Sequence, residues 1–164
     1  MIELKDLAYV IDAHTNKAIR PDKATRMWDN TTPYHMHPIW CATTILYDTS
    51  LSERIRKNGS QALLYHDVLE DTTAGLPDWL SLDVRRLVQG MTFKSSEDEW
   101  ENLWERGQEI KLLKTYDKTS NLLDSVWMKP ERKVQHQTHL RKLVEDVQRN
   151  YGNLNILRIA KTLI

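Results

Sequence analysis

The chain has 164 residues, of which 40% are hydrophobic and 28% charged, and this is enough sequence to bury the core of one domain. Its 23 basic residues balance its 23 acidic residues, so no overall positive field favours nucleic acid or an anionic membrane as a partner. No apolar run approaches the roughly 18 residues of a membrane-spanning helix. We therefore expect a small-molecule ligand.

The single cysteine, Cys41, excludes an internal disulfide and favours a reducing, cytoplasmic location. Residues 1–6 are too charged to form the apolar region of a signal peptide. We expect Cys41 to pack as a small apolar residue, since no motif near it supports a nucleophile.

Apolar residues recur at helical spacing along the chain, and strand signals are almost absent. In chain order, the helix-patterned segments are residues 4–12, 39–47, 63–71, 80–88, 110–121 and 130–147. Gly59, Gly75, Gly90 and Gly152 are expected between helices. No repeat or long linker divides the chain, so we predict one all-α domain spanning residues 1–164.

The segment from Lys94 to Gly107 is rich in Glu and Ser and carries Trp100 and Trp104. Its pattern favours an amphipathic helix that packs both tryptophans over the alternative of a mobile lid. His136 and His139, in a charged segment further on, are expected to be solvated.

Residues 63–71 place side chains that handle metals and protons on one apolar, helix-forming stretch. At about 100° per residue, His66, Asp67 and Glu70 point into a single cleft. An imidazole beside a carboxylate suits manganese, iron, cobalt or zinc, but two adjacent residues cannot complete a coordination sphere. Further ligands must therefore come from elsewhere in the chain.

The best additional candidates are His37, which precedes an apolar run, and Asp117, on a helix-patterned segment. Lys114, Asp117 and Asn121 share one face of that helix. The predicted metal ligands are thus His37, His66, Asp67 and Asp117.

Two other histidines compete for a place at this site. His35 is the main alternative to His37, which is favoured because it abuts Pro38 and the apolar run. His14 belongs to the first helix, and a surface or buried hydrogen-bonded role is favoured for it.

Three pieces of sequence carry a resemblance to a known family: Thr32-Pro33-Tyr34 with His37-Pro38, Ala62 to Thr72, and Lys114-Thr115-Tyr116-Asp117 with Asn121. They resemble the HD phosphohydrolase superfamily, and within it the hydrolase domain of the RelA/SpoT homologues and the small alarmone hydrolases. The similarity covers about residues 26–125. The chain departs from the family where no second cation follows Arg26, and at Lys118 and Ser120, where the family has Arg and His.

The resemblance implies an HD-domain helical bundle of about six to eight helices. It also implies a manganese-dependent hydrolase, with cobalt, iron or zinc as alternatives, that removes the 3′-pyrophosphate from the guanosine alarmones ppGpp and pppGpp. A metal-bound hydroxide would attack phosphorus, and Glu70 and Asp71 would hold or deprotonate that water. Lys114 and Arg26 are expected to offset phosphate charge, and Asn121 to bind a phosphate or ribose oxygen.

Two alternatives stay open. The chain resembles, more faintly, HD-type nucleotide phosphohydrolases that act on deoxynucleoside mono- or triphosphates, whose adjacent Arg-Trp pair is similar to Arg26 and Trp28 here. A non-enzymatic nucleotide-binding module is the third hypothesis, although retention of every ligand together with Glu70 and Asp71 argues against it. The sequence does not determine the oligomeric state, and its six tryptophans allow a homo-oligomer.

Overall fold

The computed structural model of the protein describes residues 2–164. In this range the chain forms nine α-helices, and its only β-type pairings are isolated bridges. The helices are α1 (Leu4–Asn16), α2 (Met36–Thr44), α3 (Glu53–Tyr65), α4 (Val68–Asp71), α5 (Leu82–Met91), α6 (Ser96–Asn102), α7 (Gln108–Leu123), α8 (Pro130–Tyr151) and α9 (Asn155–Lys161). Because α4 is a single turn of 4 residues, eight longer helices build the bundle. The all-α class predicted from the sequence is confirmed.

Helix α7 forms the centre of the bundle and contacts α2, α3, α5, α8 and α9. Its apolar residues Leu112, Leu113 and Tyr116 are fully buried. Since neighbours surround this helix, its polar residues Lys114 and Asp117 are buried as well. Buried polar groups must find partners inside the protein, so the position of α7 concentrates charge in the middle of the fold. Among the described residues, no helix combines the length and apolar character needed to cross a membrane.

Asp48 connects helix α7 to helix α9. Its carboxylate accepts hydrogen bonds from the hydroxyl of Tyr116 on α7 and from the backbone N–H groups of Asn155 and Ile156 at the start of α9. These N–H groups have no partner within their own helix. Asp48 therefore fixes the N-terminus of α9 against α7.

Two of the four glycines expected between helices lie inside helices instead. Gly59 lies in α3, where an added Cβ would stand 2.7 Å from Cδ1 of Ile45. Gly90 lies in α5, where a Cβ would stand 2.7 Å from Cδ1 of Ile110. Both positions allow close packing of helices, so the expectation that they end helices was wrong. The other two glycines lie outside helices, and Gly152 follows α8 with a φ of 77° that suits glycine.

The tryptophan-bearing segment forms α6 followed by a 3₁₀ turn, Leu103–Glu105. Trp104 packs against the hydrophobic core. The ring of Trp100 lies edge-on to His136, with 5.5 Å between ring centroids. The segment is therefore helical and packed, as the amphipathic interpretation predicts.

Candidate metal centre and active-site cleft

Three polar side chains from separate parts of the chain meet in the middle of the bundle. His37 lies in α2, His66 directly follows α3, and Asp117 lies in α7. Their ligand atoms lie within 4.8 Å of one another, and all three residues are buried. The Nε2 atoms of His37 and His66 are 3.3 Å apart. Oδ1 of Asp117 lies 3.4 Å from Nε2 of His37 and 3.7 Å from Nε2 of His66.

Asp67, the fourth predicted ligand, borders the same cluster. Its Oδ2 lies 3.4 Å from Nε2 of His37, and its Oδ1 lies 3.2 Å from Nε2 of His66. The hydroxyl of Tyr34 donates a hydrogen bond to Oδ2 at 3.0 Å. This bond fixes the orientation of the Asp67 carboxylate.

A turn divides residues 63–71, which the sequence predicts as one helix. Helix α3 ends just before His66, and α4 begins just after Asp67. Both residues keep right-handed helical backbone angles, with φ and ψ of −59° and −36° for His66 and of −88° and −6° for Asp67. Because the chain stays close to a helical path, Asp67 and Glu70 still line the same cleft.

The spacing of His37, His66 and Asp117 fits one divalent ion, and Asp67 contacts each imidazole through a different oxygen. Two ligands about 2.1 Å from an ion lie about 3.0 Å apart at octahedral angles and about 3.4 Å apart at tetrahedral angles. Four of the measured separations in the cluster lie between 3.2 and 3.4 Å. The imidazole and carboxylate donors are those that divalent transition metals accept. The cluster is therefore able to hold a divalent metal.

Both imidazoles are oriented by a bond to their other ring nitrogen. Nδ1 of His66 lies 2.6 Å from the carbonyl oxygen of Leu63, which only accepts hydrogen bonds, so Nδ1 carries the proton. Nδ1 of His37 lies 2.8 Å from the hydroxyl of Ser120. Partners of this kind turn Nε2 towards a metal and are typical of histidine ligands.

The charges in the cluster also favour a cation. Burial alone would lower the pKa of His66, but the carboxylates of Asp67 and Asp117 outweigh it and raise that pKa to about 9. Burial alone would raise the pKa of Asp67, but the positive charges of His66 and His37 lower it to about 2. The field that retains a proton on His66 also attracts a metal ion, which competes with that proton.

Glu70 and Asp71, the predicted catalytic pair, have different partners. Glu70 accepts a hydrogen bond from the backbone N–H of Phe93 at 2.8 Å, and burial raises its pKa to about 7. A carboxylate with such a pKa is suited to accept a proton near neutral pH. Oδ1 of Asp71 lies 2.8 Å from Nζ of Lys23, and burial, then the charge of Asp67, raises the pKa of Asp71 above its ordinary value.

Lys114, predicted to face the substrate, is held by two carboxylates. It is 2% exposed, and its Nζ lies 3.1 Å from Oδ2 of Asp117 and 2.9 Å from Oε2 of Glu99. Burial alone would lower its pKa, but Glu99 and Asp117 raise it well above its ordinary value. Nζ of Lys118 contacts the same two oxygens at 3.2 and 2.8 Å. Two ammonium groups thus occupy Oδ2 of Asp117, while its Oδ1 faces the histidines.

Asn121 and Arg26, the other predicted substrate contacts, support Asp117 from the opposite side. Nδ2 of Asn121 donates to Oδ1 of Asp117 at 2.6 Å, and Oδ1 of Asn121 accepts from Nη2 of Arg26 at 3.1 Å. Arg26 is 7% exposed, and its Nε donates to Oδ2 of Asp124 at 2.6 Å. Asp124 neutralises a guanidinium that the sequence left without a partner.

Asp67 and Asp117 of the candidate metal cluster line a cleft of about 310 Å³. The basic side chains that line it are Arg20, Lys23, Arg26, Lys114, Lys118, Arg132 and His136. A neighbouring cavity of about 730 Å³ shares Glu70 and Asp71 with this cleft and adds Lys94 and Arg106. Five carboxylates line the same cleft, from Asp22, Asp67, Glu70, Asp71 and Asp117. The six lysine and arginine side chains exceed these by one, and a cation bound between the carboxylates would add to the positive charge that a phosphate ligand requires.

Sequence reasoning missed Glu99 and misplaced two histidines. Glu99 is 3% exposed, and its one sequence signal is that it shares a helix face with Leu103, four residues on, which is fully buried. His139, expected to be solvated, is 5% exposed, and its Nε2 lies 3.3 Å from Oε1 of Glu99. His136, also expected to be solvated, is partly buried and lines the cleft.

His14 and His35 lie outside the metal cluster. His14 is fully buried with its ring 5.1 Å from that of Tyr34, centroid to centroid. Neither of its ring nitrogens has a hydrogen-bond partner among residues 2–164, so the expected hydrogen-bonded role was wrong. His35 precedes α2 and is partly buried, and it is His37 that contacts His66.

No family model and no curated protein matches the chain. A solved structure of a metazoan ortholog of SpoT, which hydrolyzes ppGpp and plays a role in starvation responses, superposes with a TM-score of 0.71. The two sequences are 24% identical, and the superposition covers 98% of this chain and 92% of that chain. The chain shares the fold of that hydrolase. The all-α helical bundle predicted from the sequence is therefore confirmed.

Proposed function

We propose that the protein is a metal-dependent phosphohydrolase that removes the 3′-pyrophosphate from the guanosine alarmones ppGpp and pppGpp. The observation that carries the proposal is the convergence of His37, His66, Asp67 and Asp117 beside Glu70, at the base of a cation-lined cleft. The shared fold with a ppGpp hydrolase supports the same substrate here. We further propose that residues 1–164 form one catalytic domain.

We propose Mn²⁺ as the ion. Two imidazoles and two carboxylates form a mixed donor set that suits manganese, and that also suits cobalt, iron and zinc. When bound, a divalent ion held by these residues would lower the pKa of a water ligand below its bulk value and would polarise a phosphoryl oxygen.

Glu70 takes the proton from the attacking water. Its carboxylate lines the cleft beside Asp67, and within residues 2–164 no basic side chain lies within ion-pair distance of it. Its raised pKa of about 7 keeps it able to accept a proton near neutral pH. Asp71, which also lines the cleft, is paired with Lys23 and keeps that cation beside the reacting phosphate.

The remaining side chains orient the substrate and offset its charge. Lys114 contributes a fixed positive charge behind Asp117, and Arg26 and Asn121 line the cleft on the other side. The leaving pyrophosphate gains negative charge as the phosphorus–oxygen bond breaks, so positive charges already in place stabilise the transition state. Lys23 and Lys118 also line the cleft and are more accessible to a substrate than Lys114, with side chains 27% and 10% exposed.

The experiment that tests the proposal is a product assay with Mn²⁺ on a panel of ppGpp, GTP, dATP and dAMP. We expect free pyrophosphate from ppGpp and no product from the other three. Inorganic phosphate or triphosphate from the deoxynucleotides would support the alternative HD-type phosphohydrolase. Nucleotide binding without any turnover would support a binding module instead.

A further inference from the structure

A buried cluster of four charges links α6 to the helix that carries the metal ligand Asp117. Oε2 of Glu99 lies 2.9 Å from Nζ of Lys114 and 2.8 Å from Nζ of Lys118. The same two ammonium groups lie 3.1 and 3.2 Å from Oδ2 of Asp117. The side chains of Glu99, Lys114 and Asp117 are all 5% exposed or less, and that of Lys118 is 10% exposed. Glu99 therefore bridges both lysines on the side away from Asp117.

The charges of this cluster balance only when Glu99 is counted. Lys114 and Lys118 carry two positive charges, and Asp117 alone supplies one negative charge. A buried charge without a counter-charge is strongly unfavourable. Without Glu99, the two ammonium groups would share a single oxygen of Asp117 and would repel each other. The excess positive charge would compete with a metal ion for the Asp117 carboxylate.

The two oxygens of Asp117 have separate partners. Oδ2 faces the two lysines, whereas Oδ1 faces Nε2 of His37 at 3.4 Å and accepts a hydrogen bond from Nδ2 of Asn121 at 2.6 Å. The lysines and Asn121 together set the rotation of the carboxylate, and Glu99 sets the position of the lysines. The second oxygen of Glu99 lies 3.3 Å from Nε2 of His139 without hydrogen-bond geometry. Oε2 of Glu99 thus forms ion pairs with both lysines.

We propose that Glu99 is a positioning residue for the metal centre, which holds Lys114 and Lys118 so that Asp117 keeps one oxygen directed at the two histidines. Glu99 acts through the lysines and is not one of the proposed metal ligands. The proposal rests on the metal site proposed above and does not depend on which nucleotide is cleaved.

The test is the Mn²⁺ affinity of the isolated protein, measured by isothermal titration calorimetry without substrate. Glu99→Gln keeps the shape of the side chain and removes its charge. We expect it to weaken Mn²⁺ binding by about 10- to 100-fold, the range found for residues that orient metal ligands. Glu101→Gln is the matched control, since it removes the same charge from an exposed position of the same helix and should bind as the wild type does.

A charge-compensated variant separates positioning from mere structural support. Glu99→Gln combined with Lys118→Met leaves one lysine for one aspartate, so the cluster is neutral again. We expect this double variant to recover most of the lost affinity, which loss of packing alone would not allow. It also keeps the test informative if Glu99→Gln alone fails to fold, as far-UV circular dichroism would show.

Wild-type affinity in Glu99→Gln, or a double variant that binds as weakly as Glu99→Gln, would overturn the role of Glu99. A wild-type protein that binds no Mn²⁺ would overturn the metal site, and the role of Glu99 with it. A protein that binds Mn²⁺ but does not cleave ppGpp would contradict the proposed substrate only, because this measurement uses no nucleotide.

Discussion

Glu70 and Asp71 are neighbours in the sequence, but their environments give them different properties. Asp71 is paired with Lys23, whereas Glu70 receives only a backbone N–H bond and is buried enough to raise its pKa to about 7. A general base needs an oxygen that is not engaged with a fixed cation. At the scale of single residues, the structure therefore favours Glu70 over Asp71 as the group that accepts the proton.

Replacement of Glu70 should separate metal binding from turnover. We expect Glu70→Gln to reduce kcat by about 10²- to 10⁴-fold, the usual contribution of a general base, while Mn²⁺ affinity stays close to that of the wild type. Asp67→Ala should abolish both, since Asp67 lies 3.2 and 3.4 Å from the two imidazoles. Steady-state kinetics and calorimetry on both variants check this, and a wild-type rate in Glu70→Gln would remove Glu70 as the base.

The raised pKa of Glu70 also predicts how stability depends on pH in the metal-free protein. The pKa is about 7 in the folded chain and 4.5 ordinarily, so the folded state favours the protonated form. Glu70 therefore costs stability progressively as pH rises from about 4.5 to 7, and fully above that range. We expect Glu70→Gln to melt at a higher temperature than the wild type at about pH 8 with a chelator present.

The comparison at low pH is the control. Below about pH 4.5 the carboxyl of Glu70 is protonated in both the folded and the unfolded chain. The difference in melting temperature between the variant and the wild type should therefore vanish. If the melting temperatures of the variant and the wild type differ equally at both pH values, the difference arises from packing and not from the charge of Glu70.

At the scale of helices, Asp48 is the residue whose loss should loosen the bundle most. Asp48→Ala leaves the Tyr116 hydroxyl and two N–H groups of α9 without an acceptor in the interior. We expect it to lower the free energy of unfolding by about 3 kcal/mol, a typical cost for hydrogen bonds to a charged group. Urea unfolding followed by circular dichroism measures this.

Asp78→Ala is the matched control, because the side chain of Asp78 is fully exposed at 108% and pairs only with Arg85 at 3.3 Å. Its effect should stay within about 0.5 kcal/mol. An Asp48→Ala variant as stable as this control would contradict the proposed role of Asp48 in holding α9 against α7.

Helices α1, α2, α5, α7 and α8 were predictable because each buries a periodic apolar face, which is a local property of the sequence. The predicted segments omit α9 and all but the end of α3. The apolar run of α2 and the long pattern of α8 are examples, and both are helical in the structure. Gly59 and Gly90 were misjudged because the reason for a glycine lies in a neighbouring element. At Gly59 the deciding atom belongs to Ile45, which no pattern within α3 reveals.

The charged residues of the site were predictable only where they belong to a motif with a recognisable spacing. His37, His66 and Asp117 were singled out by spacing, and the structure brings them within 4.8 Å. Glu99 and Asp124 were missed because their partners are distant in sequence. Arg26, for instance, meets Asp124 from 98 residues away. A charged residue in a polar stretch is expected to be solvated, because the sequence does not show that another helix packs over it.

At the scale of the whole molecule, the proposed metal site joins parts of the chain that are far apart. His37 comes from α2, Asp67 from the α3–α4 turn and Asp117 from α7. An ion bound by all of them exists only in the folded state, so its binding energy adds to the stability of the fold. The free energy of unfolding should therefore increase with the concentration of free metal ion.

Saturation with Mn²⁺ should raise the melting temperature. At a free ion concentration 100 times Kd, the gain is about 2.7 kcal/mol, which corresponds to roughly 5–10 °C for a domain of this size. Differential scanning calorimetry with and without Mn²⁺ measures the shift. Asp67→Ala should show none, and a similar rise in that variant would place the ion elsewhere in the molecule.

In the proposed function, one ion held by His37, His66, Asp67 and Asp117 is required to release pyrophosphate from ppGpp. The most direct test strips the protein with a chelator, returns Mn²⁺ in steps and follows pyrophosphate release from ppGpp at each step. We predict no release from the stripped protein and full activity at about one ion per chain. Release that persists in the stripped protein, or no release at any Mn²⁺ level from a protein that binds the ion, would contradict it.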